Sequence, residues 1–252
     1  MNPKITEWQG KRVWLVGASS GIGAALAREQ AGRGARLALS GRDGGKLQAL
    51  EIANAMVLPC DATDTASLAA AHQLLVGVLG GVDLVLYLAG DYVPMQAAGF
   101  DLELAEKVIA VNFTGAMRLA ATVLPDLLGA GGGIAFCASV AGYRGLPKAL
   151  AYGPGKAALI HFAECLHLEL APKGIGVWVI NPGFVATRLT AKNDFSMPAL
   201  LTPEQAAVAT LDGFRRGKFE IHYPKRFTRV MKLLALLPYA WYFPLVRRLT
   251  GG

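Results

Sequence analysis

A strand, a glycine-rich turn and a helix follow one another near the start of the chain, and this succession restricts the fold more than any other feature. The apolar run RVWLV at residues 12–16 has the character of a buried strand, and GASSGIG begins immediately after it. Gly17, Gly21 and Gly23 let the backbone approach a ligand closely, and AALAREQAGRG then continues as a helical pattern. Because N–H groups are free at a helix N-terminus, the turn predicts a pyrophosphate site for a dinucleotide.

Strand candidates alternate with helical patterns along the rest of the chain. There is no internal repeat and no low-complexity linker, so the alternation predicts an α/β fold with a doubly wound, seven-stranded parallel sheet in three α/β/α layers. The predicted strands cover residues 12–16, 35–40, 56–58, 82–88, 134–138, 177–180 and 219–222. The longest helical pattern covers residues 101–128, and no uninterrupted apolar run has the length of a membrane-spanning helix.

The end of the second strand carries the residues that distinguish NAD from NADP. A carboxylate at this place binds the ribose 2′-hydroxyl of NAD, whereas a basic residue accommodates the 2′-phosphate of NADP. The strand ends at Ser40 and is followed by Gly41, Arg42 and Asp43, so NADP is favoured and NAD is the alternative. Asp43 begins the next helical run and is more simply explained as its N-cap.

The motif YGPGK places a phenol and an ammonium one helical turn apart. Tyr152 and Lys156 lie on one face of a helix, and Pro154 restricts this segment to the first turn. The helix dipole and Lys156 would both favour ionisation of Tyr152, as acid/base chemistry near neutral pH requires. The alternative is an ordinary buried tyrosine beside a solvated lysine, because this spacing is common on its own.

Two further polar residues occur where an apolar residue or a ligand contact is expected. Asn112 interrupts the apolar helical pattern and is either a core amide with satisfied hydrogen bonds or part of a site. Ser139 follows the apolar strand IAFCA, and open α/β sheets bind ligands at the carboxyl ends of their strands. Ser139 is therefore a candidate ligand contact.

Together these motifs resemble the short-chain dehydrogenase/reductase family over nearly the whole chain. GASSGIG, Asp61, the AG of YLAG, Asn112, Ser139, YGPGK and NPGFVAT occur in the order and at the spacings of that family. The resemblance implies that residues 1–223 form a Rossmann-type NAD(P)-binding domain with an integral catalytic site. Such enzymes transfer hydride between NAD(P)(H) and a carbonyl or alcohol, and they form homodimers or homotetramers.

The resemblance also implies roles for four side chains. Tyr152 would donate a proton to the carbonyl oxygen, and Lys156 would lower the pKa of Tyr152 and hold the nicotinamide ribose. Ser139 would hydrogen-bond the substrate oxygen and stabilise charge as it develops. Asn112 would support a water molecule that connects Lys156 to solvent.

Further residues would contact the cofactor from its adenosine end to its nicotinamide end. Besides Tyr152 and Lys156, these are Gly17, Ser19, Ser20, Gly21, Ile22, Ser40, Arg42, Asp61, Ala62, Ala89, Gly90, Pro182, Gly183, Val185 and Thr187. The family's second NADP signal, a basic residue inside the glycine turn, is absent, so the preference for NADP rests mainly on Arg42.

Two departures from the family pattern concern neighbouring strands. The family usually has Thr before the first glycine and two Asn before the AG pair, whereas this chain has Val16, Tyr87 and Leu88. We expect these apolar replacements to repack the sheet without loss of activity, because the four catalytic side chains are complete.

The segments that follow Gly90, Ser139 and Gly183 are expected to form the substrate pocket. They are mostly apolar, which favours a lipophilic ketone or its alcohol, although about half of these side chains are expected only to pack the lid. The apolar candidates are Tyr92, Val93, Met95, Tyr143, Leu146, Phe184, Leu189, Phe195, Met197 and Leu200. Charged residues expected at the mouth are Arg144, Lys148, Arg188, Lys192 and Asp194.

A basic, aromatic extension over residues 224–252 follows the last predicted strand. Pro224, Pro238 and Pro244 are expected to divide it into short pieces, and large aromatic side chains alternate with Lys and Arg. It either packs on the domain or a partner subunit, or makes a peripheral membrane contact that admits a lipid-like substrate. Packing is the favoured alternative.

Other features restrict the class of protein. The net charge is +7, but the basic residues form no recognisable nucleic-acid-binding module, so no nucleic-acid partner is expected. Cys60, Cys137 and Cys165 have no metal-like spacing, and we expect no metal, buried thiols and a cytoplasmic location. A non-catalytic NAD(P)-binding sensor is the main alternative function, and it would be natural only if Tyr152 or Lys156 were missing. Epimerases and dehydratases with this cofactor usually have a different glycine spacing.

Overall fold

The computed structural model describes residues 1–192 and 197–250, and its central element is a parallel β-sheet. The strands are β1 (Arg12–Val16), β2 (Arg36–Ser40), β3 (Met56–Val57), β4 (Leu84–Tyr87), β5 (Gly133–Cys137), β6 (Gly176–Pro182) and β7 (Glu220–Tyr223). They form one seven-stranded sheet in the order β3-β2-β1-β4-β5-β6-β7. The predicted fold class is confirmed. The strand order reverses between β1 and β4, where open α/β sheets form a ligand crevice.

Helices cover both faces of the sheet. They are α1 (Gly21–Ala31), α2 (Gly44–Gln48), α3 (Thr65–Leu79), α4 (Leu102–Ile109), α5 (Gly115–Ala130), α6 (Tyr152–Leu170), α7 (Pro203–Arg215), α8 (Lys225–Ala235) and α9 (Tyr239–Thr250). Successive residues of β1 point to opposite faces: Trp14 packs with α3, α5 and α6, and Leu15 packs with α1, α2 and α7. Burial on both faces explains why the strands are apolar without alternation.

Several helix starts follow from short polar residues in the sequence. Asp43 accepts a hydrogen bond from the N–H of Lys46 at 3.1 Å, so its predicted role as the N-cap of α2 is confirmed. Thr202 and Gln205 form a reciprocal capping box at the start of α7.

The predicted helix over residues 101–128 contains a π-helical turn. This turn, Ala110–Thr114, separates α4 from α5 and carries Asn112. By length and composition, Leu102–Ala130 could cross a membrane, and it is the one such helix within the described ranges. Its side chains Leu119, Val123 and Leu127 lie in the core against the sheet instead, which accounts for its apolar composition.

The extension after β7 forms two helices rather than three short pieces. Pro224 and Pro238 immediately precede α8 and α9, as expected, but Pro244 lies inside α9. The prediction that Pro244 breaks the chain is therefore wrong. Pro244 removes only one N–H, in the second turn, while Tyr242 and Val246 on the neighbouring turns are buried and hold the helix in place.

The cysteines differ in exposure. Cys60 is buried and Cys137 is half-buried, but Cys165 is exposed on α6, with its Sγ 3.6 Å from Nδ1 of His161. The expectation of three buried thiols is wrong for Cys165, because it lies on the face of α6 that is turned away from the sheet.

Candidate active site

The glycine turn after β1 packs closely on itself and on the loop after β4, which only glycine permits. Gly17 has φ = +97°, and a Cβ there would lie 2.4 Å from the main-chain nitrogen of Ala89. At Gly23, a Cβ would lie 2.2 Å from the carbonyl oxygen of Gly17. Ser20 caps α1 without a side-chain hydrogen bond, so the first N–H groups of the helix stay available for an anion. This cradle has the form that a dinucleotide pyrophosphate requires.

Most of the predicted cofactor residues line one cleft along the carboxyl ends of the strands. The cleft is bordered by Gly17, Ser19, Ser20, Gly21, Ile22, Arg42, Asp61, Ala62, Ala89, Gly90, Tyr152, Lys156, Pro182, Gly183, Val185 and Thr187. The structure therefore places these residues around one cleft, although they come from six separate segments of the chain.

Ser40 differs from the other predicted contacts. Its side chain is fully buried and accepts a 2.9 Å hydrogen bond from the indole N–H of Trp14. Its carbonyl accepts hydrogen bonds from the N–H groups of Gly17 and Ala18 at 2.8 and 3.0 Å. Ser40 does not border the cleft and instead holds the glycine turn, so its assignment as a cofactor contact does not fit its position.

At the adenosine end, the two charged residues after β2 have different surroundings. Asp43 is occupied by its cap to the N–H of Lys46 and by an ion pair with the Lys46 ammonium at 3.0 Å. Arg42 is exposed and borders the cleft. Asp61 accepts hydrogen bonds from the N–H and hydroxyl of Thr63 at 2.8 and 2.7 Å, and the N–H hydrogen bond is the main reason that its pKa is lowered.

Tyr152 begins α6 as predicted, and its phenol is hydrogen-bonded to the hydroxyl of Ser139, directly after β5. Ser139 also accepts a hydrogen bond from the N–H of Ala141 at 3.1 Å, which fixes its side chain. The ring of Tyr92 packs edge-on against that of Tyr152, with centroids 5.1 Å apart. Because the hydroxyls of Ser139 and Tyr152 lie side by side, both can contact the same substrate oxygen.

The expected lowering of the Tyr152 pKa by Lys156 is not found. Burial raises the pKa of Tyr152, and the hydrogen bond with Ser139 is the influence that lowers it. The Lys156 ammonium lies 5.7 Å from the Tyr152 ring centroid and donates a 2.7 Å hydrogen bond to the carbonyl of Cys137. Burial in turn lowers the pKa of Lys156 to about 8. At neutral pH the phenol is protonated, as a proton donor must be.

Asn112 is positioned by the π-helical turn. Its Nδ2 donates hydrogen bonds to the carbonyls of Val108 and Asp91 at 2.8 and 2.6 Å, while its buried Oδ1 has no partner among the described residues. A Cβ at Gly90 would lie 3.3 Å from this Oδ1 and 3.6 Å from the Lys156 ammonium, so both atoms border the same space. An unpartnered buried amide oxygen beside a lysine is a suitable place for a bridging water molecule.

Tyr87, which sequence reasoning expected only to repack the sheet, is bonded to this same turn. It is paired in register with Val16, both side chains are buried, and the Tyr87 hydroxyl donates a 2.6 Å hydrogen bond to the Val111 carbonyl. A Cβ at Gly115 would lie 2.3 Å from that hydroxyl, so the glycine provides its space. The hydrogen bond between Tyr87 and the π-helical turn was missed. Its one signal in the sequence is a hydroxyl on an otherwise apolar strand.

The predicted pocket residues lie in different parts of the structure. Leu189 borders the cleft, whereas Met95 is buried in a cluster with Ala105, Val108 and Ala151. At the mouth, the Lys192 ammonium contacts the Asp91 carboxylate at 3.2 Å and the Tyr92 carbonyl at 2.6 Å. Asp194 and Phe195 lie outside the described residues.

Two more of these residues contact the C-terminal extension instead of the mouth. The Arg144 guanidinium lies 4.1 Å from the ring centroid of Tyr242 and donates a 2.9 Å hydrogen bond to the Ala235 carbonyl. Phe184, in the loop after β6, packs on Phe227 of α8 with ring centroids 5.3 Å apart. One side of the extension therefore packs on the domain, in agreement with the favoured alternative.

A second polar cluster joins β7, β6 and α8 at the base of this contact. The Glu220 carboxylate accepts hydrogen bonds from the Tyr143 hydroxyl at 2.5 Å and the Asn181 amide at 2.9 Å, and from the Lys232 ammonium. Burial raises the pKa of Glu220, but these hydrogen bonds outweigh it and the pKa is lowered. The cluster connects the loop after Ser139 to the extension.

Comparison with known proteins gives a consistent result. A family model described as short chain dehydrogenase matches residues 11–196. An uncharacterized oxidoreductase from Myxococcus xanthus is 33% identical, over 97% of this chain and 100% of that protein. The ketoacyl reductase HetN from a Nostoc species is 29% identical, over 86% of this chain and 79% of that protein.

Solved structures are similar in fold. A short chain dehydrogenase from Burkholderia cenocepacia, in complex with NADP, has a TM-score of 0.85 at 23% identity and covers 95% of this chain and 99% of its own. One from Burkholderia phymatum, in complex with NAD, has a TM-score of 0.83 at 22% identity and covers 91% of this chain and 94% of its own. At these identities the likeness supports the fold and does not distinguish the two cofactors.

Proposed function

The chain belongs to the short-chain dehydrogenase/reductase family of NAD(P)-dependent oxidoreductases, and on that premise we propose that it interconverts a lipophilic carbonyl compound and its alcohol with NADP(H). The observation that carries the proposal is the convergence of Ser139, Tyr152 and Lys156 on one cleft, with Asn112 buried next to it. Tyr152 and Ser139 are hydrogen-bonded to each other, and Lys156 and Asn112 border the same space behind them.

The side chains divide the work of carbonyl reduction. A nicotinamide dinucleotide held by the residues of the cleft would supply the hydride. Tyr152, whose pKa is raised by burial, holds the proton that it donates to the substrate oxygen, and Ser139 donates a hydrogen bond to that oxygen as its charge develops. Lys156 and the Oδ1 of Asn112 hold a water molecule through which the proton on Tyr152 is replaced.

The preference for NADP is supported by the surroundings of the two charged residues after β2. Arg42 is exposed at the cleft and can bind a 2′-phosphate, whereas the Asp43 carboxylate is occupied by Lys46. NAD is the alternative cofactor.

A lipophilic substrate is supported by the residues beside Tyr152. The Tyr92 ring packs on Tyr152, and Leu189 borders the cleft. The name of the relative HetN, a ketoacyl reductase, fits an acyl chain as substrate.

A homodimer or homotetramer is also part of the proposal. Exposed apolar side chains on α5 and α6, among them Met117, Leu128 and Leu168, support burial against a second subunit. Sedimentation velocity measures the assembly directly, and a monomer at all concentrations would contradict this part.

The test is NADPH oxidation with a panel of carbonyl compounds graded from short and polar to long acyl chains. We expect kcat/KM to increase with chain length, and Tyr152→Phe to lower kcat by about 100-fold or more while NADPH binding is retained. If Tyr152→Phe matched the wild type, the role of Tyr152 would be wrong. NADPH binding without turnover of any carbonyl would favour the non-catalytic sensor.

A further inference from the structure

We propose that the C-terminal hairpin, defined as residues 225–250 with α8 and α9, docks the protein on the surface of an anionic lipid bilayer. The first support is the distribution of charge. Of the net charge of +7, six positive charges come from Lys and Arg of this segment, which has no Asp or Glu. The rest of the chain is close to neutral. A single-sign segment of this kind is attracted to anionic lipid headgroups.

The hairpin also exposes large apolar side chains among these cations. Leu233 is 67% exposed, Leu236 is 81% exposed and Trp241 is 68% exposed. Arg226 and Arg229 lie on the same exposed side of α8 as Leu233. Apolar and basic side chains interleaved on one helix surface are typical of a segment that lies in the interface of a bilayer.

The apolar side chains are exposed although the hairpin itself is packed firmly on the domain. The Tyr242 hydroxyl donates a 2.7 Å hydrogen bond to the Gly145 carbonyl, and its side chain is only 1% exposed. Arg144 lies 4.5 Å from the Tyr239 ring centroid and donates hydrogen bonds to the carbonyls of Ala235 and Leu237. The inner face is thus fixed on the domain while the outer face keeps its apolar side chains in water.

The hairpin adjoins the cleft. Phe227 of α8 packs on Phe184, and a Cβ at Gly183 would lie 2.8 Å from the Phe227 ring. Gly183 borders the cleft beside Pro182 and Val185. A bilayer under the hairpin would therefore lie next to the cleft.

A second copy of the chain fits this surface less well. In a two-fold symmetric contact the same patch faces itself, and here that would bring Lys and Arg together without a carboxylate. The hairpin therefore fits an anionic membrane better than a subunit interface.

Flotation of the full-length protein with phosphatidylcholine vesicles, with and without phosphatidylglycerol, tests the proposal. We expect binding to be at least about tenfold stronger with phosphatidylglycerol and to weaken with salt. Two variants of exposed residues, Arg226→Gln/Arg229→Gln/Arg248→Gln and Leu233→Ser/Leu236→Ser/Trp241→Ser, should each lose about tenfold or more of this binding.

Matched controls carry the same changes elsewhere on the exposed surface. Lys4→Gln/Arg36→Gln/Lys173→Gln removes three charges outside the hairpin, and Leu74→Ser/Val78→Ser changes apolar residues of α3; both should float like the wild type. Because flotation needs no substrate, its outcome is separate from that of the proposed reaction. Absence of flotation, or equal flotation of all variants, overturns the proposal. So does a hairpin variant that dissociates an oligomer in sedimentation when the wild type binds no vesicles.

Discussion

The phenolic hydroxyl of Tyr87 donates a 2.6 Å hydrogen bond to the main-chain carbonyl of Val111. In the π-helical turn the N–H of Gly115 bonds to the carbonyl of Ala110, so the Val111 carbonyl loses its usual partner four residues ahead. Tyr87 replaces that partner from the sheet. The position of Asn112, the next residue, therefore depends on a side chain of β4.

Tyr87→Phe should lower both stability and turnover. The buried carbonyl of Val111 would lose its partner, which costs about 1–3 kcal/mol in the free energy of unfolding. Because Asn112 and Lys156 border the same space, a displaced Asn112 should disturb the supply of protons to Tyr152. We therefore expect kcat to fall while KM for the carbonyl changes little. Urea denaturation and steady-state kinetics measure the two effects. Tyr239→Phe, at an exposed tyrosine, is the control, and an unchanged kcat would show that Tyr87 has only a structural role.

Arg42→Ala should reduce the preference for NADPH over NADH. Loss of a charge-assisted hydrogen bond to the 2′-phosphate should lower kcat/KM for NADPH by about tenfold or more and leave the value for NADH nearly unchanged. Asp43→Asn is the matched control, because Asp43 is occupied as the cap of α2. If Asp43→Asn lowered the use of NADH instead, the ribose would be bound by the carboxylate and NAD would be preferred.

Lys156→Met should change how stability depends on pH. Burial lowers the pKa of Lys156 to about 8 in the folded protein. Between this pH and the ordinary lysine pKa of the unfolded chain, the unfolded chain binds a proton at Lys156 that the folded chain does not. Wild-type stability therefore gains with pH across this window. The free energy of unfolding that Lys156→Met gains over the wild type should be largest below about pH 8. Above that pH the gain should shrink by up to about 3 kcal/mol.

Urea unfolding at a series of pH values measures this difference. Lys173→Met, at an exposed position, should show no such trend. A constant difference between Lys156→Met and the wild type would mean that the buried ammonium is not destabilised.

Glu220→Gln should loosen the C-terminal hairpin. Lys232 would lose its carboxylate, and the free energy of unfolding at neutral pH should fall by about 2 kcal/mol or more. Because the folded pKa of Glu220 is lowered, this contribution is present above the ordinary carboxyl pKa and is lost as pH falls through the folded value. Chemical denaturation at neutral and acid pH, with proteolysis of the hairpin as a second readout, checks this. Exposed Glu106→Gln is the control, and equal proteolysis of both variants would contradict it.

The fold and most of the cleft could be predicted because their signals are local. The glycines after β1 and the spacing of Tyr152 and Lys156 can each be recognised within a few consecutive residues, and each indicates a particular backbone conformation. Ser40 shows the limit of such reasoning. Its position at the end of β2 is correct, but the direction of its side chain is set by Trp14, 26 residues away in sequence.

The contacts that sequence reasoning missed are long-range ones. Tyr87 and Val111 are 24 residues apart, and Tyr143 and Glu220 are 77 residues apart. The pKa of Tyr152 was misjudged for a similar reason, because burial by the assembled fold outweighs the nearby charge of Lys156.

Arg144, which holds the rings and carbonyls of the hairpin, stands in the same short loop as Ser139. The loop after β5 therefore carries both a residue of the candidate catalytic site and a contact of the domain with the C-terminal helices. A change in the angle of those helices would therefore act on the loop that carries the serine. Exchanging the C-terminal helices for those of a distant relative should therefore lower activity unless the loop after Ser139 is exchanged with them.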